Sequence, residues 1–415
     1  MEFDPTVTVT RAPSRTIGIV AMTLGIAALA VLLTLGAGLA AWLLALGVVG
    51  FVVLELAAVA AALGIAIWVG RRIAAPLETL TRQAEALREL DVSVPAQKPS
   101  GVTEVERLGA AMRQMKQALG LFGIYVPRDL VRQLVSRSAE VTLGGERRSI
   151  SVMFTDVQDF TTIAEAQEPE ELMRITSAYF EELTGELLRN HATIDKYIGD
   201  AVMALWNAPR RDLAHAMHAC SGTLRARHVT EELAKRFRAR GWPALHTRFG
   251  LHSGVAVVGN VGSSDRMSYT AIGNVVNLAS RLEGLNKFYG TQILVSEATQ
   301  RAASHAFVFR PVDLVVPKGA REPFEIHELV GLSAAHDPAD APLVADPAIV
   351  AGLPAWQEMT RYYRAGQFSA AEAALRRAAR PESDALAATY AERLARLCAE
   401  PPGPDWTAAI HFDDK

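Results

Sequence analysis

An almost uncharged apolar stretch near the N-terminus is the feature that most limits how this chain can fold. Between Arg15 and Arg71 lie 55 residues, and Glu55 is the only charged side chain among them. A helix that spans a membrane needs about 20 apolar residues, so this stretch is too long for one span and fits two. We therefore predict transmembrane helices near residues 17–39 and 48–70, which rules out a simple soluble globular protein.

The positive charges on either side of this stretch predict its orientation. Arg11 and Arg15 precede the first span, Arg71 and Arg72 follow the second, and the connection between the spans carries no charge. Positively charged flanks stay on the cytoplasmic side, so we expect both chain ends there. A cleaved signal peptide is the alternative, but its apolar core would be too long and no Ala-x-Ala cleavage site is evident. The predicted location is the cell (inner) membrane, with a multi-pass anchor in the lipid bilayer and the later domains in the cytoplasm.

Composition argues against two classes of protein. The 415 residues carry a formal net charge of −3, which gives no support to a nucleic-acid partner bound through a broad basic face. The two cysteines are too few for a secreted fold built on disulfides. Half of the residues are apolar, so the chain has enough material for a packed core.

Two amphipathic helices are predicted directly after the membrane region. Their apolar side chains recur at steps of three and four residues, and they are Leu77, Leu80, Ala84 and Leu87, then Val105, Leu108, Met112, Met115, Leu119 and Phe122. Two such helices cannot bury both stripes alone, so they need partner helices, as in the four-helix bundle of a parallel dimer. With an early Pro76 and with Glu104 opening the second helix, residues 71–123 resemble the HAMP signalling linker.

Two aspartates stand at the ends of predicted strands further along the chain. Asp156 follows a buried strand and precedes a helix, and Asp200 lies at the tip of a predicted hairpin. A carboxylate between a strand and a helix, as predicted for Asp156, can hold Mg²⁺. The free N–H groups near Phe160 and Thr161, at the start of that helix, can donate to phosphate oxygens. Two such carboxylates could hold two metal ions on one polyphosphate.

A third segment, residues 248–283, combines a strand, a glycine-rich turn and a helix. Asn277 and Arg281 are four residues apart on this helix and therefore share one face. An amide and a guanidinium on one face could clamp a ribose and a transferring phosphate.

Three motifs in these segments resemble those of class III nucleotide cyclases. They are Phe-Thr-Asp-Val, Asp-Lys-x-x-Gly-Asp and Tyr-Thr-x-x-Gly-x-x-Val-Asn-x-x-x-Arg-Leu-Glu, and the resemblance covers about residues 145–330. It implies an α/β, ferredoxin-like catalytic domain that works as a head-to-tail homodimer. Each of two sites at the dimer interface would draw residues from both chains.

The resemblance also implies roles for the charged residues of the site. Asp156 and Asp200 match the metal ligands, with the Val157 carbonyl as a further ligand, and each site would hold two ions of Mg²⁺ or Mn²⁺. Arg281 matches the residue that stabilises the transition-state phosphate. Lys318 matches a lysine that reaches the terminal phosphates.

The nucleotide base follows from the same resemblance. Lys196 and Thr270 match the pair that reads the purine, and Asn277 matches the residue that positions the ribose. Adenylate cyclases carry Lys with Asp or Thr at this pair, whereas guanylate cyclases carry Glu and a small residue. Lysine donates to adenine N1 and threonine can accept from the exocyclic amine, so ATP is the expected substrate. Threonine at position 270 resembles the subtype linked to bicarbonate, which we keep as a candidate activator.

The predicted organisation places this catalytic region between a membrane anchor and a helical tail. The segments are a cytoplasmic N-terminal tail 1–16, two transmembrane helices 17–70, a HAMP-like linker 71–123, a connector 124–149, the cyclase catalytic domain 150–331, a linker 332–350 and a small helical tail 351–415. The tail resembles one tetratricopeptide helix pair. One repeat is too short to stand alone, so we expect it to pack on the cyclase or on the dimer partner.

The sequence therefore predicts an adenylate cyclase that makes 3′,5′-cyclic AMP and pyrophosphate by two-metal catalysis and is regulated through its linker. The first alternative is a catalytically degenerate, cyclase-like signalling scaffold. The competent residues at the matched positions argue against it, because a scaffold has no reason to keep them. The second alternative is a guanylate cyclase, which Lys196 and Thr270 disfavour.

Overall fold

The structure is a computed structural model that describes residues 19–44, 47–88, 95, 102–125, 144–263, 266–317, 322–379, 382–403 and 406–412. The chain divides into two compact units, Met1–Ala139 and Glu140–Lys415. Each unit is described by itself below.

The described part of the first unit is helical. Its helices are α1 (Ile19–Leu43), α2 (Val48–Arg88) and α3 (Thr103–Tyr125). Both α1 and α2 contain apolar segments long enough to cross a membrane, by length and composition alone. This confirms the two apolar helices predicted from the sequence. Helix α2 runs without a break for 41 residues, so the predicted second span and the first HAMP-like helix form one element with Pro76 inside it.

The apolar stripes of α2 and α3 meet in a small core. Leu80, Val102 and Val105 are buried there, and Met112 packs against them. Other stripe residues stay uncovered, since Leu108 is 47% exposed. Contacts within one chain therefore cover the stripes only in part.

In the second unit, nine strands of the described residues form one sheet. The strands are β1 (Gly144–Val157), β2 (Thr193–Ile198), β3 (Ala201–Trp206), β4 (Thr247–Gly262), β5 (Met267–Ile272), β6 (Ile293–Ser296), β7 (Phe307–Pro317), β8 (Phe324–Leu332) and β9 (Ile410–Phe412). The helices are α4 (Phe160–Glu165), α5 (Pro169–Arg189), α6 (His215–Ala239), α7 (Asn274–Tyr289), α8 (Glu297–Ala303), α9 (Pro347–Arg364), α10 (Phe368–Ala378) and α11 (Ala385–Ala399). Strand β1 begins at Gly144, inside the segment predicted as a connector.

The order of the strands identifies the fold. The sheet runs β2-β3-β1-β4-β6-β8-β7-β9, and β5 pairs with the second half of β4. Neighbours among β2, β3, β1 and β4 are all antiparallel. With helices between β1 and β2 and between β3 and β4, this is the β-α-β-β-α-β arrangement of ferredoxin-like domains. The predicted fold class is confirmed.

Both faces of the sheet are covered, which explains why four consecutive residues of β1, 150–153, are all buried. Adjacent residues of a strand point to opposite faces. Met153 accordingly joins a core that includes residues of α5 and α6, whereas Val152 joins a second core with Val275 and Ala279 of α7. Helix α7 therefore packs on the face opposite to α5 and α6.

The helical tail is built into the same unit. Trp356, Met359 and Tyr363 of α9 share a buried core with Leu285 and Tyr289 of α7. Strand β9 adds to the sheet beside β7, and the segment predicted as a linker contains a 3₁₀ helix with a buried leucine. The tail thus packs on the cyclase-like sheet of its own chain.

Two largely buried ion pairs join the tail to the sheet. Arg393 of α11 donates to Asp313 of β7 at 2.5 Å, and Arg310 of β7 pairs with Asp384 at the start of α11. Both arginine side chains are more than nine-tenths buried. Each arginine therefore needs acidic partners of this kind, because water does not reach its charge.

Candidate active site

The two predicted metal ligands lie together at one end of the sheet. Asp156 is near the end of β1, and Asp200 follows Gly199 at the tip of the β2–β3 hairpin. Gly199 has a φ of 63°, a backbone conformation that glycine adopts without strain. The Val157 N–H donates a hydrogen bond to Asp200 Oδ2 at 2.9 Å. Burial, followed by the charge of Asp200, raises the pKa of Asp156. Two motifs 44 residues apart thus form one carboxylate pair.

This pair has the chemistry of a divalent-cation site. Neighbouring carboxylates repel each other when both are ionised, and a bound cation would remove that cost. Within the described residues, no group of three or more His, Cys, Asp or Glu side chains could hold a metal ion. Further ligands would therefore come from the backbone, from water or from the phosphates of a substrate.

Arg248 is a cation beside this pair that was not predicted from the sequence. It is the cross-strand partner of Asp156 in the β1–β4 register, and its Nη1 lies 3.9 Å from Asp156 Oδ2. A guanidinium in this position can bind phosphate oxygens. In the sequence, Arg248 is only an arginine at the start of a predicted strand. Its position beside Asp156 follows from the β1–β4 register, which the sequence does not show.

Glu283 is a third acidic group near the carboxylate pair. It belongs to α7, and its Oε1 is buried without a hydrogen-bond partner among the described residues. Burial, followed by the charge of Asp156, raises the pKa of Glu283 to about 8. The folded chain therefore holds a proton near neutral pH that an ordinary glutamate would release.

The raised pKa of Glu283 predicts a pH dependence of stability. Between pH 4.5 and about 8 the folded state keeps a proton that the unfolded state loses, so stability falls as the pH rises through this window. The slope is at most about 1.4 kcal/mol per pH unit. We expect the melting temperature of Glu283→Gln to fall less steeply than that of the wild type between pH 5.5 and 7.5. The measurement is made with a metal chelator present. Glu382→Gln, at an exposed turn, is the control and should keep the wild-type slope; equal slopes in all three proteins would contradict this role of Glu283.

The predicted purine-reading pair meets around a third residue. Thr270 of β5 donates a hydrogen bond from its hydroxyl to Asp195 Oδ2 at 2.9 Å, and Lys196 Nζ lies 3.3 Å from the same oxygen. Asp195 has a side chain that is only 2% exposed, whereas Lys196 is 45% exposed. The sequence alone assigns Asp195 no role at this site.

The remaining predicted residues are placed separately. Asn277 is exposed and Arg281 is half-buried on α7, whose start follows Gly273 with a φ of 147°. Within one chain, neither is in hydrogen-bond contact with the carboxylate pair. Phe160 and Thr161 begin α4, a helix of six residues. Lys318 lies outside the described residues.

Comparison with known families agrees with this geometry. Residues 145–331 match the family described as the adenylate and guanylate cyclase catalytic domain, and residues 68–120 match the HAMP domain. Over residues 145–331 this chain is therefore similar to the catalytic domains of nucleotide cyclases. The matched region includes all of the site residues described above.

Several known proteins are similar to this chain. Adenylate cyclase 1 of Rhizobium meliloti (strain 1021) is 39% identical over 285 residues, which are 69% of this chain and 43% of that protein. An adenylate cyclase of Anabaena cylindrica is 32% identical over 237 residues, 55% of this chain and 47% of that protein. The chain thus spans less than half the length of these curated relatives. The crystal structure of the adenylyl cyclase CyaB from P. aeruginosa covers 47% of this chain and 99% of its own, with 32% identity and a TM-score of 0.44.

Proposed function

We propose that this chain is a membrane-anchored adenylate cyclase that converts ATP to 3′,5′-cyclic AMP and pyrophosphate. The observation that carries the proposal is the pairing of Lys196 and Thr270 around one buried carboxylate, beside a cyclase fold with an intact pair of aspartates. A lysine N–H and a threonine oxygen complement the acceptor N1 and the donor amine of adenine. The two curated relatives are both named as adenylate cyclases, which supports the same substrate.

The carboxylate pair would hold the catalytic metal ions. Asp156 and Asp200, with the Val157 carbonyl, would bind Mg²⁺ or Mn²⁺, two ions at each site. When bound, these ions would polarise the ribose 3′-hydroxyl and balance the charge of the departing pyrophosphate. Arg248 lies where it can bind phosphate oxygens. The backbone at Phe160 and Thr161, and Lys318, are proposed to bind the remaining phosphates.

The other half of each site would come from a second copy of the chain. Asn277 would position the ribose, and Arg281 would stabilise charge that grows on the α-phosphate in the transition state. A homodimer is supported by apolar side chains that stay exposed on β2, β4 and β5, which are Tyr197, Ile198, Val255, Val257 and Ile272. An apolar surface of this kind is typical of an interface between chains.

Coexpression of two inactive variants tests the shared site. Asp156→Asn and Arg281→Ala should each inactivate both sites of their own homodimer. In a mixed dimer one site collects both changes and the other collects none. Random pairing should therefore restore up to about a quarter of wild-type cyclic AMP formation.

A matched pair of variants gives the negative control. Asp156→Asn and Asp200→Asn both alter the same half of the site, so every site of their mixed dimer carries one change and activity should stay absent. Mixed dimers are verified by pull-down of two different tags. Recovery in neither mixture, with mixed dimers present, would contradict the shared site.

Membrane attachment and regulation complete the proposal. The HAMP match and the two apolar helices support a multi-pass anchor in the inner cell membrane, with the cyclase domain in the cytoplasm. The partly exposed stripes of α2 and α3 would be covered by the same helices of the second chain. The linker would thereby couple the membrane region to catalysis. Bicarbonate activation remains a prediction from Thr270.

A charge placed in the linker stripe tests this coupling. Leu108→Glu should lower or deregulate cyclic AMP formation by the full chain, because a buried charge in a helix bundle lacks a partner. Gln114→Glu adds the same charge to an exposed position of the same helix and should have little effect. Equal activity of both variants and of the wild type would count against a signalling role of the linker.

A further inference from the structure

Asp195 lies between the two residues that are proposed to read the purine. One of its carboxylate oxygens, Oδ2, accepts a hydrogen bond from Thr270 Oγ1 at 2.9 Å and lies 3.3 Å from Lys196 Nζ. A carboxylate with a side chain that is 2% exposed needs partners of this kind to be tolerated. The carboxylate therefore fixes the position of both neighbours.

An irregularity in the sheet aims Asp195 at the site. Adjacent residues on a regular strand point to opposite faces, so Asp195 and Lys196 would not meet. The β2–β3 register shifts here, since Ile194 pairs with Ala204 and Lys196 pairs with Met203. Asp195 is the extra residue of this bulge. Bulges re-aim side chains in this way beside active sites.

The contact with Thr270 depends on the curl of the sheet. Strands β2 and β5 are four strand spacings apart along the path through β3, β1 and β4. In a flat sheet the separation across the strands alone would be about 19 Å, far beyond hydrogen-bond range. The hydrogen bond between Asp195 and Thr270 therefore ties two distant strands together at the base-reading position.

We propose that Asp195 is a positioning residue that sets which base this pair accepts. An ionised carboxylate only accepts hydrogen bonds, so it holds the Thr270 hydroxyl hydrogen on the side away from the nucleotide. The outward lone pairs of Thr270 are then left to accept from the adenine amine. The same carboxylate holds Lys196 as a donor for adenine N1. This inference rests on the proposed function, in which Lys196 and Thr270 read adenine.

The consequence is discrimination against a base with the opposite edge. Hypoxanthine and guanine present an oxygen acceptor at position 6 and a donor at N1, the reverse of adenine. A free threonine hydroxyl could rotate and donate to that oxygen. With Asp195 holding the hydroxyl, this rotation costs a buried hydrogen bond, so the wrong base is rejected.

Substitution of Asp195 by an isosteric amide, in the whole chain of 415 residues, tests the proposal. The assay compares kcat/KM for ATP, for inosine triphosphate and for purine riboside triphosphate, which lacks the amine. An amide can donate to Thr270 and free its hydrogen for the nucleotide. We expect Asp195→Asn to lower the ratio of ATP to inosine triphosphate by about tenfold. Asp195→Ser, whose hydroxyl can also donate, should lower the ratio too and serves if the amide variant does not fold.

A matched control separates positioning from simple stability. Asp313 is equally buried, with a side chain that is 2% exposed and paired with Arg393. Asp313→Asn should lower the melting temperature and leave the nucleotide ratio at its wild-type value. A role of Asp195 that is only structural would behave in the same way, with activity towards all three nucleotides falling equally.

Thr270→Val distinguishes failure of this inference from failure of the proposed function. This variant should lower the ratio of ATP to purine riboside triphosphate, because the acceptor for the amine is lost. If it does not, the adenine-reading role of the pair is wrong, and the choice of ATP with it. A different result overturns only the positioning role of Asp195. In that result, Thr270→Val lowers the ratio of ATP to purine riboside triphosphate, and both Asp195 variants keep the wild-type ratio of ATP to inosine triphosphate.

Discussion

Asp200→Asn is expected to lower kcat for cyclic AMP formation by roughly a thousandfold or more, the equivalent of about 4 kcal/mol in the barrier. The amide keeps the size of the side chain and can still accept the hydrogen bond from the Val157 N–H. It removes the charge that a metal ion needs. Asp156→Asn should have a similar effect, for the same reason. Both variants should keep the wild-type fold by circular dichroism.

A nearby aspartate gives the control for this experiment. Asp159 is exposed and lies just before α4, with a φ of 56° that asparagine also adopts readily. Asp159→Asn should therefore retain most of the activity. Wild-type turnover by Asp200→Asn or Asp156→Asn with Mg²⁺ or Mn²⁺ would show that the metal assignment is wrong.

Removal of the tail should have the second large effect. A chain that ends at residue 346 would lack α9–α11 and expose the core that α7 shares with Trp356 and Tyr363. It would also leave the carboxylate of Asp313 and the guanidinium of Arg310 without their tail partners. We expect this truncated chain to be insoluble or inactive, although it contains every proposed catalytic residue. A soluble truncated chain with wild-type kcat would refute the structural role of the tail.

Single substitutions resolve the same point in the intact chain. Arg393→Ala leaves the buried carboxylate of Asp313 without a cation, although the Tyr289 hydroxyl still donates to it. We expect a cost of about 3–5 kcal/mol and a melting temperature lower by about 10 °C. Arg376→Ala removes an exposed pair with Glu372 on α10 and should change stability by less than about 0.5 kcal/mol. Similar melting temperatures for the two variants would mean that the buried pair does not stabilise the tail.

The sequence predicted the features whose signals are local. The two apolar helices follow from length and charge. The ferredoxin-like fold came with the family resemblance, which rests on motifs at strand ends and a helix start. Asp156 and Asp200 could be matched because a metal–phosphate site needs carboxylates at particular turns, and each turn is a short piece of sequence. The Asn277 and Arg281 spacing is likewise a property of one helix.

The neighbours of these residues could not be predicted, because they depend on pairing between distant strands. Arg248 faces Asp156 only through the β1–β4 register. Asp195 meets Thr270 only because a bulge and the curl of the sheet bring β2 to β5. The role of Arg393 was hidden for a similar reason. An arginine on an amphipathic helix ordinarily faces water, whereas this one is buried against Asp313.

The length of α2 has a mechanical consequence. A continuous helix of 41 residues is a rod of about 60 Å, twice the thickness of the hydrocarbon core of a bilayer. A continuous helix passes rotation or axial displacement from one end to the other, whereas a flexible connection would absorb it. Pro76 is the one internal residue of α2 that cannot donate a backbone hydrogen bond, so bending should concentrate there. A movement at the N-terminal end of α2 would then reach its last turn as a change in the tilt of the helix axis or as a rotation about that axis.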